Sequence, residues 1–199
     1  VFFVMTWMWV SQGATLAMPA FLALLLFQLH YFQRSFVFPL LMKGNSQMPV
    51  VIMLMGITFN VANGFLLGKG LFCFPPSCFN EGTAFFLRPQ SLFGIAIFFL
   101  GMGINLHSDN VIRHLRKPGD TNHYLPAEGL YRYVTSANYF GELVEWIGFA
   151  LFTTIPAAWV FVIWTAANLI PRAAAIHKRY REEFGNALGK RKRIIPFIY

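Results

Sequence analysis

The chain has 199 residues, 56% hydrophobic, 18% aromatic and only 12% charged, with 16 Lys and Arg against 8 Asp and Glu. Its mean hydropathy is +0.52. A soluble domain carries roughly a quarter charged residues, so a soluble globular enzyme is excluded and an all-α integral membrane protein, a multi-span helical bundle, is expected. Backbone groups in lipid must bond within their own segment, and the period-two alternation of a membrane barrel is absent, which leaves helices.

The first apolar stretch, 1–10, opens on Val1 without a basic n-region or cleavage site. It reads as part of a span rather than a signal peptide, with the start of the protein expected upstream. A second stretch follows at 14–32, and then a loop, 34–47, carrying Arg34 and Lys43. The third stretch is 48–67. Its end, Gly64-Phe-Leu-Leu-Gly68-Lys69-Gly70, superficially resembles a phosphate-binding loop, but the spacing and the final Ser/Thr are wrong, so a helix end is expected. In the loop that follows, Lys69 and Arg88 are offset by Glu81, and Cys73 and Cys78 sit together as CFPPSC. A disulfide and a pair of free thiols are equally compatible with two cysteines.

The fourth stretch, 91–106, runs into Arg113, Arg116 and Lys117, and eight more basic residues lie from Arg172 to Arg193. The positive-inside bias puts 34–47, 107–127 and the tail, 178–199, on the cytoplasmic side. Parity then requires 128–153 to cross once and the chain to turn back at Thr154-Ile155-Pro156, because Pro suits a helix start. The expectation is one domain over 1–199 with six visible spans and a seventh upstream. Either a bacterial inner membrane or the endoplasmic reticulum would suit it.

Polar residues interrupt this pattern in three places. Asn105, Asp109, Arg113 and Arg116 share one side of a helix. Asn138 and Glu142 are four apart in SANYFGELVEW, with Glu145 a turn on. Arg172, His177, Arg179, Tyr180 and Arg181 form the third group. A carboxylate at bilayer depth costs roughly 2.5–3.5 kcal/mol on insertion scales, so such groups ordinarily face a functional cavity. Amides and carboxylates can bind a carboxamide or sugar hydroxyls, and arginines can bind phosphates. No Rossmann glycine pattern is present. The five histidines show no metal-ligand spacing, so no metal is expected. No nucleic-acid partner is expected either.

The series HYFQRSF, GMGINLHSD, LRKPGD, ANYFGELVEWIGFAL and KRIIPFIY resembles the steroid 5α-reductase family, in order from about Trp9 to Tyr199. The resemblance implies a seven-helix membrane enzyme that uses NADPH to reduce the double bond of a steroid enone drawn from lipid; a monomer is expected, although the sequence does not reveal the oligomeric state. Carried over by position, Asn105, Asp109 and Arg116 would line the cofactor site. Asn138 and Glu142 would hold the nicotinamide half, and Arg172, His177 and Tyr180 would complete the site. His123 and Tyr124 stand where the family commonly has an aromatic followed by a basic residue. Tyr31 matches the tyrosine that binds the substrate ketone. Its family partner is a glutamate, and alignment on Ala17-Met18-Pro19-Ala20 puts Gln12 there. Glutamine can hydrogen-bond but cannot supply a carboxyl proton, so either Gln12 is a binding group only or a glutamate lies upstream. The alternatives are a membrane methyltransferase of the isoprenylcysteine type using S-adenosylmethionine, and a sterol-binding protein without activity.

Overall fold

The computed structural model describes residues 2–12, 17–41, 49–115 and 122–199. The helices are α1 (Phe2–Ser11), α2 (Met18–Phe32), α3 (Phe38–Leu41), α4 (Val50–Gly68), α5 (Ala84–Leu87), α6 (Pro89–His114), α7 (Ala137–Thr153) and α8 (Pro156–Phe184). Proline sets four of the starts. Pro19 lies in the first turn of α2, Pro49 caps α4, and Pro89 and Pro156 open α6 and α8. Its missing N–H is unneeded there and its fixed φ favours entry into the helix.

Among the described residues, four helical segments are long and apolar enough to cross a membrane: Met18–Leu41, Val50–Cys73, Pro89–His114 and Pro156–Leu188. The ten-residue α1 and the 17-residue α7 fall short of that length. Along α4 the side chains of Val50 through Met55 are all exposed. A run of that kind needs lipid rather than water around it. The all-α membrane architecture agrees with the sequence reading.

Two compact units are present, Val1–Ile95 with Phe149–Phe161, and Ala96–Gly148 with Val162–Tyr199. In the first, Met8 of α1 packs on Gly68 of α4, and Gln28 of α2 donates to Thr6 Oγ1 at 2.8 Å. Phe27 anchors this unit, with Phe149 at 5.7 Å and Phe161 at 6.1 Å between ring centroids. Arg88 pairs with Glu81 in the loop before α6. Cys73 and Cys78 are free thiols. The phosphate-loop look-alike is the end of α4 running into a π-helical turn, Lys69–Cys73. The helix break falls where the sequence puts it. α7 ends at Thr153, Thr154 takes a left-handed φ of 57°, and Pro156 begins α8.

In the second unit the segment before α7 departs from the expected continuous span over 128–153. Gly129–Arg132 is a 3-10 turn, Tyr133 continues the turn, and Val134 forms an isolated parallel bridge with Lys192 before α7 begins at Ala137. Lys192 donates to the Tyr133 carbonyl at 2.8 Å, and Thr135 N–H returns to the Lys192 carbonyl at 2.9 Å. The chain end therefore lies along this segment, and Arg191 donates to the Pro126 carbonyl at 2.8 Å. Ile194 is fully buried with Leu169 and Ala173 of α8. The basic run Lys190–Arg193 is thus part of the packed unit. Ile194 is buried and Ile195 half-buried while Lys190, Lys192 and Arg193 stay exposed, so the apolar side chains dock and the cations keep their water.

Candidate active site

The cluster begins with a helix crossing. A Cβ on Gly141 of α7 would stand 2.5 Å from the Asn105 backbone nitrogen, and one on Gly101 of α6 would stand 2.6 Å from Glu145 Cα. Only hydrogen fits at either position, so the two backbones touch. Close approach of this kind is what small residues permit between membrane helices.

The approach brings the polar groups together. Asn105 Nδ2 donates to the Asn138 carbonyl at 2.9 Å, and Asn138 Nδ2 donates to Asp109 Oδ1 at 3.1 Å. Asn138 Oδ1 accepts from the Tyr139 N–H at 3.0 Å, which fixes the amide orientation. Asn105 is 2% exposed and Asp109 5%, so these groups are held dry. Glu142 lies one turn beyond Asn138, half-buried, and Glu145 is fully buried. Two of the three polar groups read from the sequence thus meet at one crossing.

Other candidates are placed differently. His177 is buried, with Nδ1 3.4 Å from Thr135 Oγ1 and Nε2 3.3 Å from Arg181 Nη2. It faces the segment that the chain end pins. Tyr180 is half-buried, its ring edge-on to Phe184 at 5.6 Å. His123 lies in an exposed group with Glu183 at 2.7 Å and Arg179 at 3.0 Å. Tyr124 and Arg172 are exposed. Arg113 turns back to Asn110 at 3.2 Å on its own helix. Arg116 lies outside the described residues.

Tyr31 and Gln12 belong to the first unit. Tyr31 is half-buried on α2, with Phe27 at 4.8 Å and His30 at 5.2 Å between centroids. Gln12 closes α1 through its backbone N–H to the Met8 and Trp9 carbonyls, and its side chain is exposed.

Two buried hydroxyls were not anticipated. Tyr131 is 1% exposed and packs with Val111, Val134 and Ala137, and Ser136, also 1% exposed, immediately precedes α7. Neither hydroxyl has a hydrogen-bond partner among the described residues. Burial, and secondarily the charge of Asp109, raises the Tyr131 hydroxyl above its ordinary range. Tyr131 therefore stays neutral when folded, whereas an unfolded tyrosine ionises near pH 10. Its folded pKa is the higher one, so its contribution to stability is complete below about pH 10 and lost as pH rises further. Tyr131→Phe should flatten the alkaline fall in melting temperature. At neutral pH it should be neutral or stabilising by about 1 kcal/mol, because an unpaired hydroxyl leaves the core. Melting curves at pH 7 and pH 10.5 check both.

Asn138 links the two other cluster residues, and its replacement has a definite sign. Asn138→Asp removes the donor to Asp109 and puts a carboxylate beside it. Loss of a hydrogen bond to a charged group costs about 2 kcal/mol of stability. Thermal melts of the variant and the parent chain measure this.

A multi-pass helical membrane protein with a dry amide–carboxylate cluster at a glycine crossing is the class that fold and site define. The family model described as 3-oxo-5-alpha-steroid 4-dehydrogenase matches residues 46–199. The chain is 40% identical over 180 residues to 3-oxo-5-alpha-steroid 4-dehydrogenase 1 of Bos taurus, covering 90% of this chain and 68% of the relative. Against the Homo sapiens proteins, identity is 38% to 3-oxo-5-alpha-steroid 4-dehydrogenase 1 and 39% to 3-oxo-5-alpha-steroid 4-dehydrogenase 2. Each alignment spans 181 residues, 91% of this chain, and 68% and 69% of the relatives respectively. The chain belongs to the 3-oxo-5-alpha-steroid 4-dehydrogenase family.

Proposed function

We propose that this chain reduces the C4–C5 double bond of a 3-oxo-Δ4-steroid at the expense of NADPH, giving the 5α-reduced steroid. The observation that carries the reading is the buried Asn105–Asn138–Asp109 cluster, in a chain whose relatives are named for that substrate class. The donor set suits a nicotinamide nucleotide. Carboxamide and ribose hydroxyls need both donors and acceptors, and Asn105, Asp109 and Glu142 provide them. The unpartnered hydroxyls of Tyr131 and Ser136 add polar capacity next to the start of α7. Arg172 is exposed on α8 and can meet a phosphate bidentately.

The chemistry that NADPH supplies when bound is hydride donation to the β-carbon of the enone. The chain's own residues do the rest. Reduction builds negative charge on the ketone oxygen, and the Tyr31 hydroxyl donates a hydrogen bond to that oxygen as the charge develops. Gln12 acts as a binding amide, because it has no acidic proton to give. The dry surroundings of Asn105 and Asp109 exclude water from the polar cluster. Solvent then protonates the α-carbon.

Following NADPH oxidation by its absorbance with testosterone or progesterone tests the substrate class. Binding of NADPH without turnover of either steroid rejects it. A melting-temperature rise with NADPH, and none with S-adenosylmethionine, is expected of the reductase, because a ligand that binds only the folded state stabilises it. The reverse pattern supports the methyltransferase.

A further inference from the structure

The polar cluster is not the only ligand-sized feature of the second unit. On the outer side of α6 lies an open groove of about 660 Å³, between that helix and the 3-10 turn Gly129–Arg132. Its volume falls in the range of small-molecule sites, which span roughly 300–1,000 Å³. One end is apolar, made by Phe99, Leu100 and Ile104, and the other is polar, made by His107, Arg132 and Tyr133. No carboxylate lines it.

Two glycines give it shape. A Cβ on Gly103 would meet nothing within 4 Å, so the floor is open space. Two residues earlier, Gly101 is in backbone contact with α7, so this short piece of α6 packs on one side and opens on the other. Gly129 has a φ of +55°, and a Cβ there would stand 2.6 Å from His107 Cε1. The turn lies directly on the imidazole, and the wall is built without help from a ligand.

The gradient of chemistry runs along a membrane helix. α6 is one of the four segments suited to cross a bilayer. From Phe99 to Ser108 it advances about 14 Å at 1.5 Å per residue. Phe99 and Leu100 are 49% and 60% exposed, which places the apolar end in lipid. Arg132 is exposed at the other end and makes no ion pair among the described residues. Tyr133 is exposed beside it, an aromatic with a hydroxyl, suited to headgroup depth. A neutral steroid has no use for the arginine, and a free anion has none for the apolar floor.

We infer that this groove is a binding site for one anionic phospholipid, its acyl chain along Phe99, Leu100 and Ile104 and its phosphate on Arg132. Basic recesses between membrane helices commonly take such headgroups. The site is separate from the proposed reaction and does not depend on it.

Native mass spectrometry of the chain in micelles holding equal phosphatidylglycerol and phosphatidylcholine tests the inference. Single-lipid adducts should favour phosphatidylglycerol about fivefold, the equivalent of the ~1 kcal/mol that one arginine contributes near an anionic surface. Arg132→Gln should bring the ratio to about one while adducts persist. Gly103→Trp should fill the groove and reduce adducts of both lipids, and Gly103→Leu should do the same less completely if the larger residue prevents folding. Equal binding of the two lipids by the parent chain overturns the proposal. So does full preference in Arg132→Gln, or undiminished adducts in both Gly103 variants.

Discussion

Gly141→Ala should separate α6 from α7 and cost the protein about 3 kcal/mol, the upper end of what overpacking does. The added methyl would stand 2.5 Å from Asn105 N and 2.8 Å from Gly101 O. Both are backbone atoms, so no side-chain rotation relieves the clash. The helices must move apart, and the hydrogen bond from Asn105 to the Asn138 carbonyl stretches with them. A large fall in melting temperature is expected together with loss of stabilisation by NADPH. Gly103→Ala is the matched control. It opens on free space and gains helix propensity, so it should leave stability unchanged or raise it by up to about 1 kcal/mol. Equal behaviour of the two variants in thermal melts removes the crossing as the organiser of the site.

Tyr31→Phe has the largest expected effect on rate. Removing one donor to a developing oxyanion costs about 10²–10³ in turnover. The ring should stay in place, because its contacts are to Phe27 and His30 rather than through the hydroxyl alone. Affinity for NADPH should be unchanged, since the groups assigned to it are elsewhere in the chain. The informative pair of measurements is therefore kcat with testosterone and the dissociation constant for NADPH. A Tyr31→Phe enzyme with full turnover assigns the ketone to another donor. Variants of the polar cluster should show the opposite pattern, with weaker cofactor binding first. Asn138→Asp and Tyr31→Phe thus separate cofactor binding from electrophilic activation.

Much of the architecture was legible because lipid imposes simple rules. Low charge and long apolar runs require helices, since no water is available to bond a bare backbone. The turn at Thr154-Ile155-Pro156 could be found from loop charges and one proline. The relation among Asn105, Asp109 and Asn138 was partly legible, because spacing of four puts residues on one helix side. Their meeting was not. It depends on Gly101 and Gly141, whose part in the crossing was not anticipated. The small-residue spacing from Ala137 to Gly141 was the available signal.

By itself the sequence determined that this chain is a helical membrane protein, where its polar faces lie, and which family it belongs to, because composition, period and motif are local properties. The tertiary structure alone decided that residues 133–136 are tied by backbone hydrogen bonds to Lys192 and Arg193, and that the hydroxyls of Tyr131 and Ser136 are buried without partners among the described residues. It also decided that Gly103 opens on a groove while Gly101 is closed against a helix. The physical reason is common to all three. Each depends on which distant backbone comes within a few ångströms, and that distance is set by packing between elements rather than by the residues of any one of them.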